Sequence, residues 1–215
     1  MIEPIDGKNV PDRHACQVRV WMFALGEKKG PMSRYRDEHL VYLMMLLRAE
    51  GRMSRRSISE RIGIGEGSVR SALAHLTSEG MVETNRRGAA LTEGGRGFLD
   101  GLGFTVVPMG SRGDIAMASV VVRGAADGLG DGIRHMFAAV KAGAEDVSLY
   151  RVDGGIVPVQ AYAPDPEAAG MDLGAMGCAS DGDAVVVCGS GTAAEANLAA
   201  VAAGIGIRMT QQRCA

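Results

Sequence analysis

Apolar residues recur at helical spacing in three successive segments of the first half of the chain. The first segment, 37–51, begins at an aspartate that can cap a helix and ends at a glycine. The second begins after Ser54 and ends at Gly63, which can supply a left-handed turn. The third segment, 66–80, carries one apolar stripe, made of Val69, Ala72, Leu73 and Leu76. The pattern therefore predicts a long helix, a short helix and an amphipathic helix.

A hairpin and a fourth helix are predicted after these three. Residues 81–92 form two short β-like runs around the tip Asn85-Arg86-Arg87-Gly88, and Thr92 can cap a closing helix. Three helices followed by a basic hairpin are typical of a winged helix-turn-helix, whose third helix enters the major groove of DNA. We therefore assign residues 36–103 to such a domain.

Eight residues of this domain are candidates for DNA contact. Four lie opposite or beside the apolar stripe of the third helix, where arginine can offer a bidentate donor pair to guanine. Two lie at the hairpin tip and two at the start of the second helix, where contacts to phosphates position a protein without reading sequence. They are Arg55, Arg56, Ser68, Arg70, Ser71, His75, Arg86 and Arg87. So few reading residues per protomer predict a homodimer on paired half-sites.

The second half of the chain has the pattern of an α/β domain, which we place at 114–210 after a joint at 103–114 and expect to sense a ligand or to pair subunits. The predicted elements are a strand at 119–124, a helix at 129–144, a hairpin at 147–160, a short helix at 164–178, a strand at 183–189 and a helix at 192–207. This order resembles a ferredoxin-like sandwich. The predicted fold class is α+β, with residues 1–35 as an N-terminal extension.

Charge is distributed unevenly between the halves. The whole chain has a net charge of −2, with 47% hydrophobic and 22% charged residues, as in ordinary globular proteins. Residues 1–103 hold 16 Lys and Arg against 13 Asp and Glu, net +3, whereas 104–215 hold 7 against 12, net −5. Because phosphates repel an acidic surface, we expect double-stranded DNA to contact the first half.

Cellular location and metal content can also be predicted. The longest apolar stretch, 40–47, is too short to span a bilayer, and the N-terminus lacks the apolar core of a signal peptide, so we expect a cytoplasmic protein without membrane contact. The histidines do not cluster with the cysteines, and no C-x-x-C pair occurs; we predict reduced thiols and no metal. The cysteines are Cys16, Cys178, Cys188 and Cys214.

The turn Gly189-Ser190-Gly191-Thr192, between the last strand and the last helix, is a candidate ligand-binding site. Its small residues can leave backbone N–H groups open to an anion, although it lacks the lysine of a P-loop and the full G-x-G-x-x-G spacing. A tight connection capped by Thr192 is the alternative. No catalytic residue or cofactor is predicted. Two other functions stay open: a protein-interaction adaptor, and a small transferase or nucleotide-binding enzyme that uses this turn.

Residues 51–102 resemble the winged-helix half of a family of archaeal proteins, and 118–144 and 181–204 resemble the companion domain of that family, whose function is unassigned. The resemblance covers residues 36–205 and implies a transcriptional regulator, with DNA as its partner and a small-molecule effector as a further one. In that family an Arg-Asp pair occupies the helix that corresponds to 129–143. This chain departs from that pattern with Met136 and Phe137, so no polar site is carried over from the family to that helix.

Overall fold

A computed structural model describes residues 35–159, 163–164 and 179–214 of the 215-residue chain. This part of the chain is a mixed α+β structure with six α-helices and two antiparallel sheets. The extension predicted at 1–35, apart from the buried Tyr35, and the short helix predicted at 164–178, apart from its first residue, lie outside the described residues.

The first half contains the elements that the periodicity predicts. They are α1 (Asp37–Glu50), α2 (Arg55–Ile62), α3 (Glu66–Ser78), β1 (Val82–Asn85), β2 (Gly88–Leu91) and α4 (Glu93–Leu102). The caps of two helices are confirmed: Ser54 Oγ accepts the N–H of Ser57 at 3.1 Å, and Thr92 caps α4 in the same way. The predicted cap of α1 is wrong. Arg36 holds that position, and Asp37 lies in the first turn, where a carboxylate interacts favourably with the positive end of the helix dipole.

The second half is built on a five-stranded sheet. Its elements are β3 (Phe104–Arg112), β4 (Ile115–Val122), α5 (Ile133–Lys141), β5 (Asp146–Val152), β6 (Ile156–Pro158), β7 (Ala184–Ser190) and α6 (Ala193–Cys214). The strand order is β3-β4-β7-β5-β6. Because β7 pairs antiparallel with both β4 and β5, these two strands run in the same direction, connected by α5. Every residue of β7 is buried, as expected for a central strand.

Residues 103–114 do not form the predicted joint. Strand β3 begins at Phe104, one residue after the glycine that ends α4, and pairs with β4 along its length. The register shifts between Pro108 and Gly110, and β3 lies at the edge of the sheet, which is where a strand tolerates proline. The C-terminal sheet therefore has one more strand than the four predicted.

The two halves share one apolar core. A continuous cluster of buried side chains runs from Leu40 in α1 to Ile207 in α6. At the boundary, Arg208 Nε donates to the carbonyl of Leu102 at 2.7 Å, and its Nη2 donates to that of Gly103 at 2.6 Å. Gly103 has φ of 62°, and a Cβ there would lie 2.2 Å from Arg208 Nη2, so a side chain would strain the backbone and displace the guanidinium. α6 thus holds both halves together.

No helix among the described residues is long and apolar enough to cross a membrane. The same residues contain no group of three His, Cys, Asp or Glu side chains that could hold a metal ion.

Cys188 is predicted to be unreactive in the folded protein. Burial in β7 raises the pKa of its thiol to about 12, and the nearby Asp146 carboxylate adds to the shift. Because the thiolate is the form that alkylating agents attack, a raised pKa and burial both slow the reaction at neutral pH. Iodoacetamide labelling with peptide mapping should modify Cys188 only after denaturant is added. Rapid labelling of the native protein would contradict the described packing.

Candidate nucleic-acid interface

A groove of about 850 Å³ lies between α3, the start of α2 and the β1–β2 hairpin. Four of the eight predicted contact residues line it, although they come from three separate elements: Arg55, Arg70, Arg86 and Arg87. No Asp or Glu is among the lining residues that the structure describes. The fold therefore brings four positive charges to one acid-free surface, which we call the arginine groove.

The arginines of this groove are exposed and make no ion pair within the described part of the chain. Neighbouring arginines differ in this respect. Arg52 pairs with Glu83, Arg61 with Glu50, and the exposed Arg56 with Glu60 at 3.0 Å. The guanidinium groups in the groove thus keep their hydrogen-bond donors available for a ligand such as a phosphate.

The hairpin tip has a geometry that only a few residue types permit. Asn85 pairs with Gly88 across a two-residue turn, and Asn85 Oδ1 accepts the N–H of Arg87 at 2.8 Å. Gly88 has φ of 121°, and a Cβ there would lie 2.3 Å from the carbonyl oxygen of Met53. The tip therefore depends on glycine at position 88.

The hairpin is anchored to the segment before α2, which the sequence analysis missed. Met53 and Ala89 exchange two backbone hydrogen bonds, of 2.9 and 2.8 Å, so one residue of that segment adds a bridge beside β2. Arg52 Nη1 also donates to the carbonyl of Gly88 at 3.0 Å, and its guanidinium pairs with Glu83. These contacts fix where the two tip arginines lie relative to α2.

α3 buries the predicted stripe and exposes the opposite face. Arg70 and Ser71 are exposed as predicted, and the Ser71 hydroxyl donates to the carbonyl of Gly67 at 3.2 Å. Ser68 is half-buried. His75 is only 8% exposed, which corrects its prediction as a contact residue. Burial also explains why it is absent from the groove that Arg70 lines.

Arg56 lies beside Arg55 in the sequence but is not among the residues that line the groove. Successive helix residues point about 100° apart, so only one of an adjacent pair can face a given surface. The side chain of Arg56 is 80% exposed and pairs along the helix with Glu60. An exposed pair of this kind contributes little to stability.

The turn at 189–192 is a capped connection, the alternative that the sequence analysis gave to an anion site. Ser190 is buried, and its hydroxyl lies 2.9 Å from the Gly143 carbonyl oxygen and 3.2 Å from Glu195 Oε2. The Thr192 hydroxyl donates to Glu195 Oε2 at 2.9 Å, and Thr192 Oγ1 accepts the N–H of Glu195 at 3.2 Å. The Glu195 carboxylate therefore already occupies the positive end of α6 and would repel an anion.

Comparison with known proteins gives two similarities. Residues 38–97 match the family described as PH0730-like, N-terminal domain. The hypothetical protein PH0730 from the archaeon Pyrococcus horikoshii OT3 is similar in structure, with 25% sequence identity and a TM-score of 0.63. The alignment covers 80% of this chain and 91% of that one, so it includes parts of both halves. The chain has no match among the curated proteins.

Proposed function

We propose that this protein is a transcriptional regulator that binds double-stranded DNA through a winged helix-turn-helix formed by α1–α4 and the β1–β2 hairpin. The observation that carries the proposal is the arginine groove: four exposed arginines without ion pairs among the described residues, on a surface without acids. A groove of this composition suits a polyanion better than a protein surface, because each arginine that neutralises a phosphate forms a charge-assisted hydrogen bond and releases a counterion.

The groove supports a specific division of roles. α3 has 13 residues, which is about 20 Å of helix, long enough to lie in a major groove. Its exposed Gly67, Ser71 and Ala74 are small, so the helix can approach the bases closely. Arg70 is then the residue on α3 that can reach guanine with a bidentate pair. Arg55 and the hairpin arginines then contact phosphates or enter the minor groove.

The C-terminal domain is proposed to pair two subunits. The strands β4 and β5 with β7 between them form a split β-α-β unit, the part of the domain that resembles a ferredoxin-like sandwich. On its helix α5, three large apolar side chains are exposed at helical spacing: Ile133, Phe137 and Val140. An apolar stripe of this kind favours a protein contact. We propose that it contacts the same stripe of a second copy of the chain, because paired half-sites require a dimer.

Selection from a pool of random duplex DNA, followed by sequencing of the retained fraction, tests the proposal. We expect enrichment of a motif with two-fold symmetry. Binding of that motif should weaken steeply with salt: three or four phosphates per protomer are about six to eight for the dimer, which gives a slope of roughly −5 to −7 in log K against log salt. Retention without a motif would indicate sequence-independent DNA binding and contradict a regulator with defined half-sites. Failure to retain DNA, or retention indifferent to salt, would instead favour the adaptor function.

A further inference from the structure

A second cavity, of about 820 Å³, lies where α1, α4, β3 and α6 meet. We call it the junction cavity. Its volume falls in the range of pockets that hold small molecules, roughly 300–1,000 Å³. Most of the wall is apolar, and includes Met45, Leu46, Leu99, Phe104 and Val106. It shares no described lining residue with the arginine groove, so a ligand there would leave that groove open.

The polar side of the junction cavity is positively charged. Three arginines and one aspartate line it, a formal charge of +2: Arg48, Arg61, Arg123 and Asp100. Arg48 pairs with Asp100 at 2.6 Å, and Arg61 pairs with Glu50 at 3.2 Å. Arg123 makes no ion pair within the described residues. Arg123 is thus the cation available to an anionic ligand.

A neutral donor stands on the same wall. Tyr42 lines the cavity and is 8% exposed. The phenol has an ordinary pKa near 10, which burial raises further against the opposing charge of Arg61, so it carries its proton near neutral pH and can donate a hydrogen bond. A cation and a phenol beside apolar walls are the groups that would bind a carboxylate with a hydrocarbon body. A highly charged phosphate ester would leave the apolar walls in contact with polar atoms.

We propose that the junction cavity binds a small amphipathic carboxylate, an aromatic or branched aliphatic acid. Its carboxylate pairs with Arg123, and its hydrocarbon part contacts Leu46, Leu99 and Phe104. This binding does not require DNA. Where the proposed function also holds, α2 links the two sites, because Arg55 at one end lines the arginine groove and Arg61 at the other lines the junction cavity. A helix of eight residues spans about 12 Å, so such a ligand is positioned to act as the effector.

Titration calorimetry with 3-phenylpropionate and 4-methylpentanoate tests the proposal, with 3-phenylpropionamide as the neutral analogue. We expect a dissociation constant of about 1 mM or lower for at least one acid and at least ~10-fold weaker binding of the amide. Arg123→Gln should weaken acid binding by a similar factor. Thr105→Trp, at a cavity-lining residue of β3 that is exposed, should abolish it by filling the space.

Arg151→Gln is the matched control, because Arg151 is exposed on β5 and does not line the cavity. It should bind the acids as the wild type does, and thermal melts should show that all variants fold. Three results would overturn the proposal: no binding of either acid, equal binding of acid and amide, or unchanged binding by Arg123→Gln. The calorimetry contains no DNA, so failure of the DNA selection would not affect the evidence for acid binding. Failure of acid binding would likewise not affect the evidence for DNA binding.

Discussion

Replacing Arg70, Arg86 and Arg87 together by alanine should lower the affinity for the selected DNA by roughly 100- to 1,000-fold, with little change in stability. The affinity falls because the arginine groove then lacks the side chains for one base-reading pair and two phosphate contacts. Stability should stay within about 0.5 kcal/mol, since these exposed side chains make no ion pair in the described part of the chain.

A second triple variant separates the position of the charges from their number. Arg96, Arg134 and Arg151 are exposed, lie outside the groove and also lack ion pairs among the described residues. Their replacement by alanine changes the net charge equally, from −2 to −5. Fluorescence anisotropy across salt concentrations should show a shallower slope only in the groove variant, by about one for each phosphate that is no longer neutralised. Equal losses of affinity in both variants would show that affinity depends only on the net charge of the protein and not on the arginine groove.

Periodicity and capping residues predicted the elements of the first half, because apolar stripes, two side-chain caps and glycines mark most helix ends there. Ser54 and Thr92 cap where expected, and the apolar stripe of α3 is buried. What periodicity cannot do is choose between the two flanks of a stripe. Arg70 and His75 lie at nearly equal angles on either side of it, yet one is exposed and the other is buried. That choice depends on neighbouring elements, which a helical pattern does not contain.

Two misses have different causes. The bridge between Met53 and Ala89 involves one residue of the segment before α2. One residue cannot show the alternation of apolar and polar positions that identifies a strand in a sequence. Strand β3 was hidden by Pro108, Gly110 and Gly113, which are typical of a linker but here form an edge-strand bulge and a hairpin turn.

The choice between the two interpretations of the 189–192 turn could have been made from the sequence. Thr192 and Glu195 have the spacing of a capping box, so the signal that a carboxylate already occupies the start of α6 was present in the sequence. In this chain, Glu195 at the third position of α6 therefore favours the capped connection over an anion site.

Replacing Gly88 by alanine should lower the free energy of unfolding by about 2–4 kcal/mol, the sum of a strained backbone and disrupted hydrogen bonds. The φ of 121° is outside the range that side chains adopt readily, and the new Cβ would meet the Met53 carbonyl oxygen at 2.3 Å. Relief requires the hairpin to move away from Met53, which breaks its two bonds with Ala89. Chemical denaturation of purified protein measures the change.

Gly97→Ala provides the matched control for this change. Gly97 lies within α4, and a Cβ there would meet nothing within 4 Å, so the same substitution should raise the free energy of unfolding by about 0.4–1 kcal/mol. DNA affinity supplies the second readout. Because the hairpin carries Arg86 and Arg87, its displacement in Gly88→Ala should weaken binding and flatten the salt dependence, whereas Gly97→Ala should change neither. If Gly88→Ala were as stable as the wild type, the hairpin could not be packed against Met53 as described, and its arginines would not be held in the groove.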